Sequence, residues 1–264
     1  MELITTLNNT LIVVFGLIAG SFVSALSYRL PRGLPMLNDR SRCPKCKKKI
    51  SWYDNIPLFS YIFVRGKCRK CKKKISIRYP LLELSTAILF LLVYLRIDLI
   101  TANLAWLNKS AFSIAVLLVV ITIMIAIFMT DIEQMIIPDK LVFSGLFITI
   151  FAMIYLSYGD LYQNLLTGFG MAMFLLVINL LTQGKGMGLG DVKLAILTGT
   201  FLGFRMAMTW MLLAFVIGAL VGIVLILMKS KSLKSKVAFG PFLVASFIII
   251  LLFGNGLGVL FFPF

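Results

Sequence analysis

The chain has 264 residues, 60% of them hydrophobic, and its mean hydropathy of +1.01 is too high for a soluble domain of this size. Basic residues outnumber acidic residues by 26 to 10, and histidine is absent. The composition therefore excludes a soluble enzyme, and it excludes histidine as a metal ligand, a general base or a pH switch.

Successive apolar stretches predict an all-α polytopic membrane protein with about eight transmembrane helices. Several are close to the ~20 residues that a helix needs to cross a bilayer, whereas the second and sixth are shorter. The first ends in SYRLPRG rather than at a small-residue cleavage site, so we expect it to remain as a membrane anchor. The predicted spans are 9–28, 81–97, 111–130, 141–158, 162–182, 191–204, 207–228 and 238–261.

The distribution of lysine and arginine predicts the orientation of these spans. The stretch 29–78 holds 16 of the 26 basic residues, and cytoplasmic loops are enriched in such residues. With this stretch in the cytoplasm, alternation of the spans places 23 basic residues inside and 3 outside. We therefore expect both ends of the chain to face outward, and the loops after the third, fifth and seventh spans to face the cytoplasm.

The segment between the first and second spans contains all four cysteines. Cys43 and Cys46 form one Cys-x-x-Cys pair, and Cys68 and Cys71 form another. This spacing is typical of a closed, structural zinc site with four thiolates in a tetrahedron. A segment of about 50 residues has little core of its own and needs such a staple. We predict a small cytoplasmic zinc-knuckle domain here.

Two other interpretations of this segment use the same residues. Two disulfides would use the same cysteines, but stable disulfides are uncommon in the reducing cytoplasm. The basic residues also fit nucleic acid, but the nearby aromatic residues are sparse, and we expect no nucleic-acid partner. A basic loop hung between two spans is instead expected to lie against anionic membrane lipid.

Two aspartates stand at the predicted cytoplasmic ends of spans. Asp131 follows the uninterrupted apolar run 111–130, and Asp191 opens the sixth span. Acidic groups at membrane depth are costly, and they are functional candidates by default. The predicted topology puts both carboxylates at the same depth on the same side, so the fold is able to bring them together.

A pair of close carboxylates can perform aspartic peptidase chemistry. Like charges at short range do not both ionise, so the pair shares one proton. The ionised member activates a water molecule, and the protonated member donates to the carbonyl under attack. The absence of histidine, and of any cysteine outside the predicted zinc site, fits this chemistry.

Three alternating glycines, Gly186, Gly188 and Gly190, precede Asp191. Glycine permits close backbone packing and positive φ, which would let a substrate strand approach the aspartate without meeting side chains. Alternatively, the glycines form a flexible loop and Asp191 is the N-cap of the sixth span, a position that favours aspartate. Local sequence leaves both interpretations open. Asp139 is expected in a turn or at the start of a helix.

Five motifs occur in order along nearly the whole chain, and together they resemble the type IV prepilin peptidases, the bifunctional leader peptidase/N-methyltransferases of bacteria. The family's first-helix signature is matched by GSFVSALSYRLPRG. Its zinc-knuckle domain is matched by SRCPKCKKKISWYDNIPLFSY and RGKCRKCKKKISIRYPLLEL. Its two active-site segments are matched by DIEQMIIPDKL and GLGDVK.

The resemblance implies that Asp131 and Asp191 are the peptidase dyad, with Gly188 and Gly190 in the active-site loop. It implies removal of a short basic leader after a glycine, at the cytoplasmic face of the bacterial plasma membrane. The new N-terminus would then be methylated with S-adenosyl-L-methionine as methyl donor. The substrates would be type IV prepilins or the pseudopilins of related secretion or DNA-uptake machines.

The methyl-transfer site is less defined by the motifs than the peptidase dyad. The candidates are Gly20, Arg29, Arg78 and Glu83, whose alternative roles are packing, lipid contact and helix capping. We expect a first transmembrane helix at 1–28, a zinc-binding domain associated with methyl transfer at 29–80, and a transmembrane peptidase domain at 81–264.

Two alternative functions use the same residues. A transporter or channel could use the membrane acids as ion ligands, although the interiors of the spans are almost wholly apolar. A peptidase without methyltransferase activity would use the zinc domain for structure or docking only.

Overall fold

The computed structural model describes residues 2–34, 41–43, 45–184, 186–228 and 238–261, and the side chains within them except 2–5, 31 and 255–261. Lys185 and all of the predicted cytoplasmic loop at 229–237 therefore lie outside the described residues. The described residues form ten α-helices, two short 3₁₀ helices and two isolated β-bridges. The helices are α1 (Glu2–Arg29), α2 (Phe59–Phe63), α3 (Arg78–Leu95), α4 (Ile97–Asn103), α5 (Ala111–Gln134), α6 (Asp139–Leu156), α7 (Tyr158–Leu181), α8 (Leu189–Leu202), α9 (Phe204–Leu227) and α10 (Gly240–Phe261).

The predicted all-α polytopic fold is confirmed, but the predicted number of spans is only partly reproduced. Six of the described helices, α1, α3, α5, α6, α7 and α9, are long and apolar enough to cross a membrane. The other two predicted spans correspond to α8, which has 14 residues, and to α10, in which the residues with described side chains, Gly240–Gly254, form an apolar helix. Both fall short of 18 residues within the part of the chain whose side chains are described.

The chain divides into two compact units, Met1–Leu95 and Arg96–Phe264. In the first unit, α1 packs along α3. Glycines let the two backbones approach closely, because a Cβ at Gly16 would lie 2.6 Å from the Cα of Ala87. A Cβ at Gly20 would likewise lie 2.6 Å from the Cα of Glu83. Small residues at helix crossings are typical of membrane proteins, where van der Waals packing holds helices together.

In the second unit, α8 is surrounded by α6, α7, α9 and α10. Its closest neighbour is α7, and glycines again set the distance. A Cβ at Gly199 would lie 2.8 Å from the Cα of Gly168, and a Cβ at Gly168 would lie 2.6 Å from the carbonyl oxygen of Ile196. The position of α8 along and across the bundle is therefore tightly fixed.

The C-terminal end of α8 is held by its connection to α9 and by a contact with Trp106. A helix of 14 residues is about 21 Å long, which is less than the ~30 Å of a bilayer core. Gly203, at φ 72°, joins α8 directly to α9. The indole N–H of Trp106 donates a 2.9 Å hydrogen bond to the carbonyl of Phe201, which satisfies one of the last carbonyls of the helix.

Candidate active site and metal centre

Asp131 lies in the last turn of α5, and its side chain is buried. Only 5% of its surface is exposed. The helix ends at Met135, which adopts φ 54° and donates its backbone N–H to the Asp131 carbonyl at 2.9 Å. The carboxylate faces the start of α10, where the backbone N–H of Gly240 hydrogen-bonds to it. The contact is close, because a Cβ at Gly240 would lie 2.5 Å from Oδ2 of Asp131.

Asp191 lies in the first turn of α8 and is also buried, with 6% of its surface exposed. Its Oδ2 accepts a 3.0 Å hydrogen bond from the backbone N–H of Gly188. Gly188 occupies the N-cap position and Leu189 is the first helical residue. The expectation that Asp191 is itself the N-cap is therefore wrong: the aspartate is the third residue of the helix and bonds back to the cap.

The two aspartates lie in one part of the second unit, and the side chain of Ile137 lies against the glycines next to both of them. This side chain lies in the segment between α5 and α6. A Cβ at Gly190 would be 3.0 Å from Cβ of Ile137, and a Cβ at Gly240 would be 3.1 Å from its Cδ1. The carboxylates are close enough for the charge of Asp131 to act on Asp191. The carboxylate of Asp131 faces the N-terminus of α10, and Asp191 lies at the N-terminus of α8; N–H groups at a helix start stabilise negative charge.

The glycine-rich loop before α8 is shaped by side chains at the end of α7. The Asn179 amide donates a 2.6 Å hydrogen bond to the carbonyl of Met187, whose side chain is buried. The Thr182 hydroxyl accepts a 3.1 Å hydrogen bond from the Gly186 backbone N–H. Of the two properties proposed for these glycines, close packing is observed, whereas positive φ occurs at Gly184 and at none of the three alternating glycines.

An ion pair links the starts of α6 and α8. Asp139 is the first residue of α6, as the sequence suggested, and both of its carboxylate oxygens lie 2.8 Å from Nζ of Lys193. The pair is partly exposed, with 56% of the Asp139 side chain and 37% of the Lys193 side chain accessible to solvent. It gives Lys193 a structural role that its sequence context did not reveal.

The four cysteines form one cluster of free thiols. Their sulfur atoms all lie within 4.8 Å of one another, and Sγ of Cys43 is 3.9 Å from Sγ of Cys71. Four sulfurs around a tetrahedral zinc ion at ~2.3 Å are about 3.8 Å apart. The cluster therefore fits a single zinc ion, and the geometry favours the metal site over two disulfides.

The two Cys-x-x-Cys pairs lie in knuckles that repeat each other. In the first, the N–H of Cys43 donates to the Lys48 carbonyl at 3.0 Å, and Lys47, at φ 58°, donates to Cys43 at 2.8 Å. The second knuckle makes the corresponding bonds, with Cys68, Lys73 and Lys72 in these places, at 2.9 Å each and with φ 59° at Lys72. Such turns aim two thiolates at one point.

Backbone hydrogen bonds already prepare one thiol for metal binding. The backbone N–H groups of Cys71 and Lys70 lower the pKa of Cys68 from 9.0 to about 7. At Cys71 the backbone N–H of Lys73 favours the thiolate, but desolvation and the neighbouring sulfurs raise its pKa to about 11. Four thiolates together repel one another, and a dication relieves that repulsion.

The candidates for methyl transfer all lie on α1 or α3, the two long helices of the first unit. Glu83 is buried and accepts a 2.8 Å hydrogen bond from the backbone N–H of Leu58. Gly20 packs against the backbone of Glu83. Arg78 donates a 2.8 Å hydrogen bond to the Ser27 hydroxyl. Arg29 ends α1, at the side of the unit from which the knuckle segment departs.

Sequence reasoning missed two residues that complete the surroundings of the aspartates. Gly240 contacts Asp131 from the start of α10, and Ile137 lies against both helix starts. The Gly-Pro pair at 240–241 was a usable signal, since proline is favoured in the first turn of a helix.

The chain matches two family models. Residues 14–97 match the bacterial peptidase A24 N-terminal domain, and residues 118–223 match the type IV leader peptidase family. The first match includes the cysteine cluster, and the second includes both aspartates. No solved structure matches the chain significantly.

Curated relatives cover almost the whole length of the chain. A prepilin leader peptidase/N-methyltransferase of Aeromonas hydrophila is 31% identical over 94% of this chain and 91% of its own length. The protein of the same name from Bacillus subtilis is 31% identical over 94% of this chain and 95% of its own length. A Pseudomonas putida relative is 30% identical over 93% and 91%. The chain therefore belongs to the type IV leader peptidase family.

Proposed function

We propose that this protein is a membrane aspartic endopeptidase that removes the short basic leader of type IV prepilins or pseudopilins and then methylates the new N-terminus. The proposal rests on Asp131 and Asp191, which are both buried and close enough to interact electrostatically, in a chain without histidine. The names of the relatives that align with nearly the whole chain support the same reaction and substrate class.

The pair acts by sharing one proton. Two close carboxylates do not both ionise, because their repulsion opposes it. The ionised carboxylate removes a proton from a water molecule as that water attacks the scissile carbonyl. The protonated carboxylate donates to the carbonyl oxygen. The backbone N–H groups of Gly188 and Gly240 hold the two carboxylates in position during the exchange.

The loop containing Gly188 and Gly190 gives the substrate strand access to the pair. Gly188 is exposed and has no side chain to cover Asp191. A Cβ at Gly190 would lie against Ile137, so glycine at this position allows the loop to pack closely. We assign to Gly188 the role of leaving space for the substrate strand, and to Gly190 the role of packing the loop against Ile137.

Methyl transfer uses S-adenosyl-L-methionine, which when bound supplies an electrophilic methyl group. Its sulfonium and amino groups are cationic, and the buried carboxylate of Glu83 is a complementary partner. Its carboxylate is complementary to Arg29 and Arg78. Gly20 shapes the same region by allowing α1 to approach α3.

The charge distribution supports an orientation with the zinc knuckles and the aspartates at the cytoplasmic face of the bacterial plasma membrane. Zinc in the four-cysteine cluster stabilises the segment 29–80, which we associate with methyl transfer. The helices after residue 80 carry the peptidase. The natural partners are prepilins or pseudopilins and anionic membrane lipid, and no nucleic acid.

Leader cleavage by purified protein in proteoliposomes tests the peptidase. Wild-type protein should process a prepilin, and Asp131→Asn and Asp191→Asn should each abolish processing while the protein remains inserted. Asp139→Asn is the matched control, since this exposed acid lies nearby but is paired with Lys193. Full processing by both dyad variants would reject the proposal.

Methyl transfer is tested separately on pilin that has already been cleaved. Labelled S-adenosyl-L-methionine should label its N-terminal amine with wild-type protein and with Asp191→Asn alike. Cleavage without any transfer of label would reduce the function to a peptidase alone.

A further inference from the structure

The segment between the two knuckles exposes a group of large apolar side chains. The 3₁₀ helix Trp52–Asn55 and helix α2 contain no buried residue. The exposed fraction reaches 81% at Trp52 and 79% at Phe63. Concentrated apolar exposure marks an interaction surface rather than ordinary solvent contact. We call this surface the apolar face and define it as Trp52, Ile56, Phe59, Ile62 and Phe63.

A groove lined by basic side chains continues from the apolar face. Phe63 belongs to both, and the groove has a volume of about 410 Å³. Arg69 connects the groove to the Trp52–Asn55 helix, because its Nε lies 2.7 Å from Oδ1 of Asp54 and its guanidinium lies over the Tyr53 ring. The basic groove is lined by Arg65, Lys67, Arg69 and Lys72.

The charge around these two features has one sign. Asp54 is the only acid from Ser41 to Ile77, and it is paired with Arg69. The surrounding cations are all exposed, so the surface carries a strong positive potential that attracts anions. These exposed cations are Arg42, Lys45, Lys47, Lys48, Lys49, Arg65, Lys67, Arg69, Lys70, Lys72, Lys73 and Lys74.

The apolar face is held next to a membrane-spanning helix. Leu58 immediately precedes α2, and its backbone N–H bonds to Oε2 of Glu83 at 2.8 Å. Glu83 lies in the second turn of α3. Leu58 adopts φ 59°, an unfavourable backbone conformation for leucine, to make this connection. Helix α2 is therefore tied by one hydrogen bond to the first part of α3, a helix that is long and apolar enough to cross a membrane.

We propose that the apolar face inserts into the interfacial region of an anionic bilayer and that the basic groove binds the phosphate group of an anionic phospholipid. Aromatic side chains flanked by cations are the usual composition of such interfacial anchors. A basic prepilin leader is disfavoured as the occupant because the groove would repel it. The proposal specifies which side chains contact lipid, and it is independent of the peptidase reaction.

Trp52 is a built-in probe of this insertion. The full chain is reconstituted into phosphatidylcholine vesicles with or without about 30% phosphatidylglycerol, an amount that gives a strongly anionic surface. The lipid carries bromine on its acyl chains, which quenches nearby tryptophan fluorescence. Trp106 and Trp210 are buried, and subtracting the signal of Trp52→Phe isolates Trp52.

We expect Trp52 to emit at shorter wavelength and to be quenched at least about twofold more in anionic than in neutral vesicles, because several cations favour docking there. Each cation near an anionic surface favours docking roughly fivefold. The combined variant Arg65→Glu, Lys67→Glu and Lys72→Glu should therefore lose the anionic dependence. Lys109→Glu, a charge reversal in the other compact unit, should keep it.

Two results would overturn the proposal, and both are read from the isolated Trp52 signal of protein with an unaltered basic groove, so neither depends on the triple variant. One is Trp52 quenched by aqueous iodide and not by brominated lipid in either vesicle. The other is protection of Trp52 only after prepilin is added, which would make the substrate the occupant. Zinc content of the triple variant confirms that its knuckles are intact before its loss of quenching is counted.

Discussion

The cysteine cluster and the aspartate pair place their functional atoms by different means. Each knuckle closes within about ten residues through backbone bonds, and the second repeats the bonds of the first. The aspartates instead depend on how the end of α5 meets the starts of α8 and α10, and helix positions in this unit are set by glycine contacts such as that of Gly168 with Gly199. We therefore expect the cysteine cluster to lose its metal when one ligand is removed, and the aspartate pair to lose activity when a helix is displaced.

The largest effect is expected from removing a metal ligand. Cys71→Ser leaves three thiolates for zinc, and structural zinc contributes on the order of 10 kcal/mol to the folding of small knuckles. Metal analysis should find about one zinc per wild-type chain and much less in the variant. Lys70→Ser, within the same Cys-x-x-Cys pair, should retain zinc. Equal zinc in all three proteins would contradict a four-cysteine site.

A methyl group at the α7–α8 crossing should destabilise the second unit by less than loss of zinc. In Gly168→Ala the new Cβ would meet the Ile196 carbonyl oxygen at 2.6 Å, and overpacking of this kind costs about 1–3 kcal/mol. Thermal unfolding in detergent should occur at lower temperature. Gly170→Ala is the matched control on the same helix, since its Cβ would meet nothing within 4 Å. Equal stability of the two variants would show that the crossing is not tight.

A smaller and more local effect is expected beside Asp131. Gly240→Ala would place a methyl group 2.5 Å from Oδ2 of Asp131 and would push the carboxylate away from the α10 N-terminus. Leader cleavage should fall on the order of tenfold, which corresponds to about 1.4 kcal/mol. Gly222→Ala, with open space around its Cβ, should cleave normally. Normal cleavage by Gly240→Ala would remove this glycine from the site.

The smallest effect is expected at the ion pair between α6 and α8. Lys193→Ala removes a partly exposed pair with Asp139, and such pairs contribute about 0–1 kcal/mol. Unfolding temperature and cleavage rate should both change little, and the change should diminish further in high salt. A complete loss of cleavage would instead give Lys193 a role at the substrate.

The features that sequence predicted well are those with a local signal. The lengths of the apolar stretches predicted the long helices, and the Cys-x-x-Cys spacing predicted the cysteine cluster at Cys43–Cys71. The contact between Gly240 and Asp131 could not be derived in this way, because residues far apart in the chain meet only through helix packing. The predicted start of α8 was two residues too late, since glycine has a low helical preference and the N-cap residue Gly188 has no side chain that would mark a cap in the sequence.

Asp191→Asn tests the central claim most directly when cleavage and integrity are measured on one preparation. We predict no detectable removal of the prepilin leader, with an unfolding temperature and a zinc content equal to those of the wild-type protein. Wild-type rates of leader removal by this intact variant would contradict the assignment of the aspartate pair as the peptidase site.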